Sequence, residues 1–408
     1  MKMIDVLPTD ILTDILSRLP VKSVCCIRCV SKALLKTVDD VSFATMHMRR
    51  RLLDDVHQVP RLVLRSYYRF EEQRMQTFKY DGNDLLTKSK PAIISEFKSR
   101  QYFHKQDFVF CNLFGFTSLS TKNERSCLLV NPFKGEFLML PTTSELQAPA
   151  NIFSNSDTYG MGFDTMTNTY KIVRVSRYLK KDYQTYVVTA EVLVLGTSSW
   201  QELPLAPPCY PSRDVASSTY EAVHWLVSEY DNNHGSSRLI LSFDFKNEEF
   251  YLTPHPFALN ENLDFFSFVH LLTFRGSLAL VDVSSSNIEI WVLVLKNYDG
   301  KKKHEWKLNY KIDMQQHPLR VWHHTYELLE FGEWERGIFF PENYCCLRSI
   351  FFVDLTRMSV KLFKDRLDFM MVYSCTDNMI SLKNYGDLTE VEEQRYTKFI
   401  IERETQSA

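Results

Sequence analysis

The chain has 408 residues, with 48 Lys and Arg against 50 Asp and Glu, and a formal net charge of -2 at pH 7. Apolar residues make up 45% of it and aromatic residues 13%, a composition that supports a sizeable core and excludes a disordered chain. Because the charges balance, no overall field favours a nucleic acid or an anionic membrane, and we expect neither as a partner.

The first predicted element is a short amphipathic helix near the N-terminus. Pro8 and Asp10 suit its first turn, where a backbone N–H is spare and the helix dipole favours a carboxylate. Pro20 ends the helix, because proline cannot continue it. The apolar stripe of this helix consists of Ile11, Leu12, Ile15, Leu16 and Leu19.

A second helix is predicted from about Val21, with Val24, Ile27, Val30 and Leu34 on one apolar face. Two short helices cannot bury this much aliphatic surface against each other. Part of the surface must therefore be covered by something else. Periodicity alone leaves two interpretations open: the helices cap the core of their own protein, or they stay uncovered and dock on another subunit.

The two helices together resemble an F-box, the module that docks on the Skp adaptor of cullin-based ubiquitin ligases. The shared pattern is LPxxIL…IL…LPVKS…IRCVSK. The family usually has a tryptophan two residues after its Ser-Lys pair, where this chain has Leu34, so we expect weaker adaptor binding from the smaller apolar area. The resemblance implies that the adaptor-binding residues are Leu7, Pro8, Ile11, Leu12, Ile15, Leu16, Leu19, Pro20, Val21, Val24, Ile27 and Val30.

From Arg61 onward the spacing changes from helical to short strands rich in β-branched and aromatic residues. A hairpin pattern recurs in this region. Each copy has an apolar run, then an Asp, Asn or Gly that tolerates turn geometry, a polar tip, and an aromatic or branched residue that begins the return strand. The copies lie at residues 131–137, 163–170, 195–200, 243–250 and 353–360.

Adding the preceding strand to each hairpin gives units at intervals of roughly 50 to 60 residues, close to the period of propeller blades. Radially arranged antiparallel sheets shelter their edges, which favours a ring of about six blades over a pair of β-sandwich sheets. The predicted fold is α+β multidomain: a small N-terminal all-α F-box followed by an all-β propeller-like repeat domain. The units start near Leu62, Phe114, Gly162, Val223, Leu278 and Ile338.

The strand region resembles the F-box-associated domain of a large plant family that includes the kelch-like and S-locus-type F-box proteins. The resemblance covers most of residues 110–365, and its motifs lie at residues 159–164, 170–174, 191–204, 223–226, 241–244 and 290–292. It implies an F-box at 1–45, a linker at 46–60, a substrate-binding propeller-like domain at 61–385 and a charged C-terminal tail at 386–408.

No catalytic motif accompanies these elements. Cys25, Cys26 and Cys29 lack a second Cys/His pair at zinc spacing, so we expect no metal and no cofactor. His224 has no nucleophile or orienting partner at a recognisable spacing, and no phosphate-binding glycine loop occurs. The segment around His224 and Trp225 is predicted to lie in the core of a blade.

The resemblance implies a substrate-recognition subunit of a Skp-cullin-F-box (SCF) ubiquitin ligase. Its partners would be the Skp adaptor, through it a cullin and a RING subunit, and an unidentified protein target sent for proteasomal degradation. The nine cysteines are odd in number and scattered, and no Asn-x-Ser/Thr acceptor occurs, which indicates the cytoplasm with the nucleus as a second location. Two alternatives stay open, a propeller-fold enzyme and an F-box scaffold that binds no cullin.

Target specificity is expected in the least repetitive segments, at 142–158, 207–218, 254–264 and 315–334, which we predict to be loops at one rim of the ring. The last of them carries an aromatic cluster of the kind enriched at protein interfaces. The predicted target-binding residues are Trp322, His323, His324 and Trp334.

Overall fold

The protein is described here by a computed structural model that includes backbone and side chains. The residues that it describes are 8–53, 60–68, 72–78, 92–98, 103–118, 126–142, 156–179, 186–212, 216–219, 221–227, 239–256, 268–283, 287–298, 301–313, 331–334, 337–344, 347–367 and 371–389.

The N-terminal helices form a compact module, which we call the helical module. Pro8 and Pro20 stand immediately before the first two helices, as expected for residues that fit a helix start but not its interior. Its members are α1 (Thr9–Ser17), α2 (Val21–Arg28), α3 (Lys32–Val38) and α4 (Val41–Leu53). The α4 helix runs across the predicted domain boundary at residue 45, and its Met48 packs with the core of the following domain.

The predicted second helix is in fact two helices, so the single apolar face assigned to it was wrong. The α2 helix ends at Arg28, and the Ser31 side chain caps α3 by accepting a hydrogen bond from the Leu34 N–H at 3.2 Å. A serine in this position offers the backbone an alternative partner and so interrupts the helix. Val30 therefore lies in the turn, exposed, while Leu34 lies in the core of the module.

The rest of the described chain forms strands in antiparallel pairs. They are β1 (Arg61–Tyr68), β2 (Glu72–Phe78), β3 (Ala92–Lys98), β4 (Phe103–Phe110), β5 (Leu113–Ser118), β6 (Cys127–Asn131), β7 (Glu136–Met139), β8 (Ser156–Asp164), β9 (Thr169–Leu179), β10 (Tyr186–Val194), β11 (Gln201–Glu202), β12 (Ser217–Ser218), β13 (Ala222–Leu226), β14 (Leu239–Asp244), β15 (Glu249–Pro254), β16 (Phe268–Phe274), β17 (Ser277–Val283), β18 (Asn287–Tyr298), β19 (Lys301–Asp313), β20 (Gly332–Trp334), β21 (Gly337–Tyr344), β22 (Leu347–Asp354), β23 (Ser359–Leu367) and β24 (Met371–Cys375).

Six four-stranded sheets are built from these strands, and each is a blade of a propeller. The spatial orders are β24-β1-β2-β3, β4-β5-β6-β7, β8-β9-β10-β11, β12-β13-β14-β15, β16-β17-β18-β19 and β20-β21-β22-β23, which we number as blades 1 to 6. The first strands of successive blades contact one another around a closed ring. The predicted propeller of about six blades, preceded by a helical module, is confirmed.

The ring is closed by pairing the last strand with the first. In blade 1, β24 pairs antiparallel with β1, so that Ser374 lies opposite Leu62 and Tyr373 opposite Val63. This joins the two ends of the domain by backbone hydrogen bonds and makes β24 the first strand of blade 1. After β24 the chain forms no further described strand, and residues 379–381 lead into a 3₁₀ turn (Leu382–Asn384).

Three of the five recurring hairpins share one turn chemistry. Asp164, Asp244 and Asp354 each begin a turn, and each accepts two backbone N–H groups on Oδ1 at 2.8 to 3.3 Å. This is the expected use of aspartate in a chain with few glycines. In four of the hairpins, the residue four positions after the initial Asp or Asn has a left-handed φ angle of 50 to 64°. These residues are Gly135, Asn168, Glu248 and Met358.

One hairpin was placed wrongly in the repeat. The turn at 164–169 joins the first and second strands of blade 3, whereas the other four recurring hairpins, including residues 195–200 of that same blade, join third and fourth strands. The aspartate turn suits any two antiparallel strands, so its sequence does not reveal which pair it connects.

Strand alternation divides the connections between two faces of the propeller. Connections between the first and second strands, and between the third and fourth, lie on one face, which we call the turn face. The helical module lies on this side, because α4 leads into the start of β1. All four predicted specificity segments run between the fourth strand of one blade and the first strand of the next, and their described residues belong to the opposite face. Residues 143–155, 213–215, 257–264 and 315–330 of these segments lie outside the described residues.

Candidate functional site

The helical module exposes an apolar row on α1. Ile11 and Ile15 are 50% and 46% exposed, and they lie four residues apart on one side of the helix. Val30, in the turn after α2, is 56% exposed, and Pro8 and Pro20 are also exposed. These five of the predicted adaptor-binding residues are thus available to another protein.

Three other predicted adaptor contacts are buried within the chain itself. Leu16 and Val24 are 3% and 0% exposed, and Val21 is buried with them. Their contact with the adaptor stays a prediction, and in this structure the apolar stripe of the helices serves two surfaces, one inward and one outward. The buried apolar core of the module consists of Leu16, Val21, Val24, Leu34, Val38, Phe43 and Ala44, joined by Met379 from the C-terminal region.

The remaining adaptor predictions are intermediate or lie elsewhere. Leu12, Leu19 and Ile27 are half-buried at the edge of the core of the module. Leu7 lies outside the described residues. Leu34, which replaces the expected tryptophan, is 2% exposed, so the substitution changes packing inside the module and not a surface offered to the adaptor.

Polar contacts hold α1 against α4 and so keep the exposed row in place. Asp14 on α1 receives the guanidinium of Arg50 from α4, and it also pairs with Arg18 at 3.1 Å. His47 on α4 lies with its Nε2 2.9 Å from the carbonyl oxygen of Leu19, an atom left free at the end of α1. Ile11 and Ile15 are therefore presented by a helix that is held against α4 at Asp14 and just beyond its C-terminal end.

A second charged pair lies at the other end of the module. The Arg28 guanidinium binds the Asp39 carboxylate through two hydrogen bonds, at 2.5 and 2.8 Å. The hydrogen bond from Arg28 lowers the pKa of Asp39, with smaller contributions from Lys383 and Lys134 of the propeller domain. This corner of the module therefore faces the propeller.

Among the predicted target-binding residues, only Trp334 is in the described part of the chain. It lies on β20, is 1% exposed and packs edge-to-face on Phe352 with ring centroids 5.3 Å apart. Its contact with a target stays a prediction, and in this structure the side chain packs in a buried cluster formed by residues of blades 6 and 1. Trp322, His323 and His324 lie outside the described residues.

An aromatic and cationic stack lies on the face opposite the helical module, and no sequence pattern indicated it. The guanidinium of Arg177 lies 3.9 Å from the ring centre of Tyr186 and 5.5 Å from that of Tyr210. Tyr186 is 45% exposed, and Tyr210 belongs to the predicted specificity segment 207–218. The three residues come from two strands and a connection, so only the folded blade brings them together.

A cluster of buried charged side chains lies on the other side of the same sheet. The Arg174 guanidinium pairs with Asp157 at 2.9 Å and with Glu191 at 3.0 Å, and all three side chains are largely buried. Burial raises the pKa of Glu191 although Arg174 opposes that shift. Charges paired in this way hold three strands of blade 3 in register.

The candidate for acid–base chemistry lies in the core of a blade, as predicted. His224 and Trp225 are 4% and 1% exposed. The Nδ1 atom of His224 lies 2.8 Å from Ser242 Oγ, and its Nε2 atom lies 3.2 Å from Thr219 Oγ1. Burial lowers the pKa of His224 to about 3, and Ser242 is 0% exposed, so this serine and histidine meet where no substrate can enter.

The described residues form neither a metal-binding cluster nor a membrane-spanning helix. Cys25, Cys26 and Cys29 are free and exposed thiols, and no group of three or more metal-binding side chains occurs within these ranges. None of the described helices is long and apolar enough to cross a bilayer.

Two family models match this sequence in the order of its two structural parts. The model described as "F-box domain" matches residues 4–45, and that described as "F-box associated beta propeller domain" matches residues 67–368. The second match covers most of the chain and spans strands from all six blades.

Similar plant proteins agree with this. F-box protein At1g67130 of Arabidopsis thaliana is 24% identical over 355 residues, which are 84% of this chain and 69% of the relative. F-box protein At3g07870 of the same species is 26% identical over 336 residues, or 75% of this chain and 72% of the relative.

Solved structures show a more distant likeness. TolB from Acinetobacter baumannii aligns with a TM-score of 0.42 at 12% identity, covering 78% of this chain and 66% of that one. The beta-propeller domain of the Trilobed protease from Pyrococcus furiosus aligns with a TM-score of 0.32 at 11% identity, covering 76% and 99%. TM-scores of this size identify no shared activity.

Proposed function

Because this chain belongs to the F-box proteins that carry an F-box-associated beta propeller domain, we propose that it is the target-recognition subunit of an SCF ubiquitin ligase. In this role the helical module binds the Skp adaptor, and through it a cullin and a RING subunit. The propeller holds a target protein whose ubiquitination leads to proteasomal degradation. The protein works in the cytoplasm and the nucleus, where these partners meet.

The observation that carries this proposal is the uncovered apolar row on α1. Ile11 and Ile15 are half exposed on a helix whose other apolar side packs on or beside the core of the module. Burying the exposed half of each side chain against a partner contributes roughly 1 kcal/mol. An otherwise well-packed module that leaves such residues uncovered is suited to receive another apolar surface.

The chain needs no catalytic group of its own in this role. A ligase subunit accelerates transfer by holding the target lysine near the ubiquitin-charged enzyme, which is catalysis by proximity. The buried pair of His224 and Ser242 supports no competing enzymatic function, because neither side chain is accessible. Leu34 likewise gives no support to a scaffold that has lost its ligase, because it lies inside the module.

The adaptor contact is tested with the double substitution Ile11→Asp and Ile15→Asp. Two charges on the buried side of an interface are strongly unfavourable, so we expect Skp-adaptor affinity to fall about 100-fold or more. Calorimetric titration of the purified adaptor measures this loss. Both side chains are surface residues, so the thermal unfolding temperature should stay close to that of the wild type.

A matched control places the same change on an exposed apolar residue of the propeller. Met166 is 68% exposed in the turn between β8 and β9, and Met166→Asp should leave adaptor affinity unchanged. Undiminished binding by the Ile11 and Ile15 variant would overturn the proposal. Recovery of the adaptor without a cullin from a cell extract would instead favour the scaffold function.

The target is sought by affinity purification of the full chain with the proteasome inhibited. Proteins whose recovery depends on the propeller, and whose abundance rises when the Ile11 and Ile15 variant replaces the wild type, are the expected targets. Unchanged abundance of every bound protein would contradict a role in degradation. Fluorescence microscopy of a tagged chain tests the proposed cytoplasmic and nuclear location.

A further inference from the structure

After the closing strand β24, the chain does not leave the propeller but crosses its turn face. We call residues 376–389 the C-terminal strap. Met379, Ile380 and Leu382 in this segment are 8%, 0% and 0% exposed. An extended segment that buries its apolar side chains this fully is held in place by the surfaces on both sides of it.

One side of the strap is bound to blade 2. The buried Glu136 carboxylate, at the start of β7, accepts a hydrogen bond from Ser381 Oγ at 2.5 Å and another from the Leu382 N–H at 2.6 Å. Asn131 donates its side-chain amide to the Ile380 carbonyl oxygen at 3.2 Å. A buried carboxylate needs such donors, so the strap satisfies a group that blade 2 would otherwise leave without them.

The strap is also tied at its two ends. Asp377 pairs with Arg61 at 2.8 Å, next to the place where β1 and β24 close the ring. Further on, the N–H of Thr389 donates to the carbonyl oxygen of Phe137 at 2.8 Å. Between them, the Tyr385 ring meets Tyr170 edge-on at 6.2 Å, so the strap also reaches blade 3.

The other side of the strap is bound to the helical module. Met379 belongs to the same buried cluster as Leu16, Val24 and Leu34, and it is the member of that cluster that comes from outside the module. Its carbonyl oxygen accepts a hydrogen bond from Lys134 Nζ at 3.1 Å. A single residue of the strap thus completes the core of the module and is anchored to a blade 2 turn.

Charge complements this apolar contact. Asp39 of the module lies within electrostatic reach of Lys134 on the propeller and Lys383 on the strap, and both contribute to lowering its pKa after the hydrogen bond from Arg28. Burial lowers the pKa of Lys134, with Glu136 opposing the shift, which places the ammonium of this otherwise exposed side chain against protein. Module, strap and blade 2 therefore meet at one junction with a buried apolar centre and paired charges at its edge.

We infer that the C-terminal strap is a bracket that fixes the orientation of the helical module on the propeller. This rests on the proposed function for its consequence: a fixed orientation sets the distance from the adaptor on one side to the target on the opposite face. The strap directly follows the strand that closes the ring. The strand that closes the propeller and the segment that positions the module are therefore consecutive in the chain.

The inference is tested on the full chain bound to the Skp adaptor with Met379→Asp. A carboxylate in the core of the module is not tolerated, so the strap should leave it. We expect amide hydrogen exchange in α2 and α3 to become about ten-fold faster or more, and exchange in β17 and β18 of blade 5 to stay unchanged. Small-angle X-ray scattering should show a larger radius of gyration.

A second pair of variants tests the bracket without placing a charge in the core of the module. Lys383→Glu places a negative charge beside Asp39 on the surface of the junction, and it should speed exchange in α2 and α3 several-fold. Lys246→Glu, in an exposed turn of blade 4, is the matched control and should not change it. If Lys383→Glu behaves like Lys246→Glu in both exchange and scattering, the bracket is overturned.

These readouts separate the bracket from the proposed function. Exchange and scattering can also be measured without the adaptor. If the wild-type chain did not bind the adaptor, the ligase role would be overturned, and these two measurements would still test the bracket. Conversely, unchanged exchange in both strap variants would remove the bracket and leave the Ile11 and Ile15 test untouched.

Discussion

The two faces of the propeller are built on different principles. The turn face carries short hairpins with a common aspartate turn, and its side chains link one blade to the next and the ring to the helical module. The opposite face carries the non-repeating connections, and in its described part the exposed Tyr186 lies over Arg177.

This difference separates stability from recognition. Residues that recur at matched positions of several blades stabilise the fold, because every blade packs against its neighbours in the same way. Residues that occur once on a connection are free to differ, which is where specificity is expected. Substitutions on the turn face should therefore lower the free energy of unfolding, whereas those on the opposite face should change target binding with little loss of stability.

The largest effect is expected at the contact between blades 3 and 4. Lys171 on β9 is buried and pairs with Asp164 at 2.8 Å and, across the blade boundary, with Glu248 at 2.6 Å. Removing one partner of a buried pair leaves an uncompensated charge, so Lys171→Met should destabilise the protein by roughly 3 kcal/mol. Chemical denaturation measures this change. If Lys171→Met lowered the free energy of unfolding no more than Lys246→Met, a change of an exposed lysine, the stabilising role of the turn face would be contradicted.

The same contact predicts a dependence on pH. Burial alone would raise the pKa of Asp164, but hydrogen bonds from Lys171, Thr167 and the backbone hold it below the ordinary value of 3.8. A carboxyl group with a lowered folded-state pKa stabilises the protein above its unfolded pKa. That stability is lost as the pH falls through the folded-state pKa. We expect the difference in stability between wild type and Lys171→Met to shrink below about pH 4 in denaturation series at several pH values.

A smaller effect is expected from the recurring aspartate turns. Asp244 and Asp354 each accept two backbone N–H groups at 2.8 to 3.0 Å in blades 4 and 6. Because these turns are alike, Asp244→Ala and Asp354→Ala should each cost about 1 kcal/mol, and the double variant should cost about the sum. Asp→Asn at either position is the control and should be nearly neutral, since asparagine keeps the acceptor. Unequal or strongly coupled losses would show that the repeats are not equivalent.

The repeat architecture was predictable because its signals are local. Hairpin turns, Pro8 and Pro20 act through neighbours a few residues away, so the spacing alone indicated short helices followed by a ring of blades. Ser31 was missed because the apolar spacing continues across it from Ile27 to Leu34. A capping serine then overrides a periodicity that would otherwise predict one helix.

The candidate sites were less predictable because their partners are distant in sequence. The carbonyl of Met379 meets Lys134, which is 245 residues away, and nothing in the residues around Met379 indicates a partner in the helical module. Trp334 was assigned to the surface because a strand of three residues is too short to show its alternation. Exposed and buried members of the α1 stripe could not be separated for a similar reason, since both follow helical spacing.

Trp200 and Trp306 each donate a hydrogen bond to the preceding blade, and they differ in their exposure to water. Trp200 in blade 3 donates its Nε1–H to the carbonyl oxygen of Pro141 in blade 2 at 2.9 Å, and Trp306 in blade 5 donates to Pro254 of blade 4 at 2.8 Å. Phenylalanine keeps the ring area and removes the donor, so Trp200→Phe should cost about 1 kcal/mol. Trp306→Phe should cost less, because its hydrogen bond is open to water. Equal thermal shifts for the two variants would show that exposure does not govern these contacts.

The smallest effect on stability, and the largest expected effect on recognition, is assigned to Tyr186. Its ring covers Arg177 at 3.9 Å, an exposed cation–π contact that contributes only about 0.5 to 1 kcal/mol, so Tyr186→Ala should barely change the thermal unfolding temperature. On a surface that recognises targets, an aromatic ring held by a fixed guanidinium is a favourable anchor, because little conformational freedom is lost on binding. Target recovery should therefore fall with Tyr186→Ala and be retained with Met166→Ala, an exposed apolar residue on the turn face. Recovery reduced by Met166→Ala and not by Tyr186→Ala would assign recognition to the turn face and reverse the division of labour between the two faces.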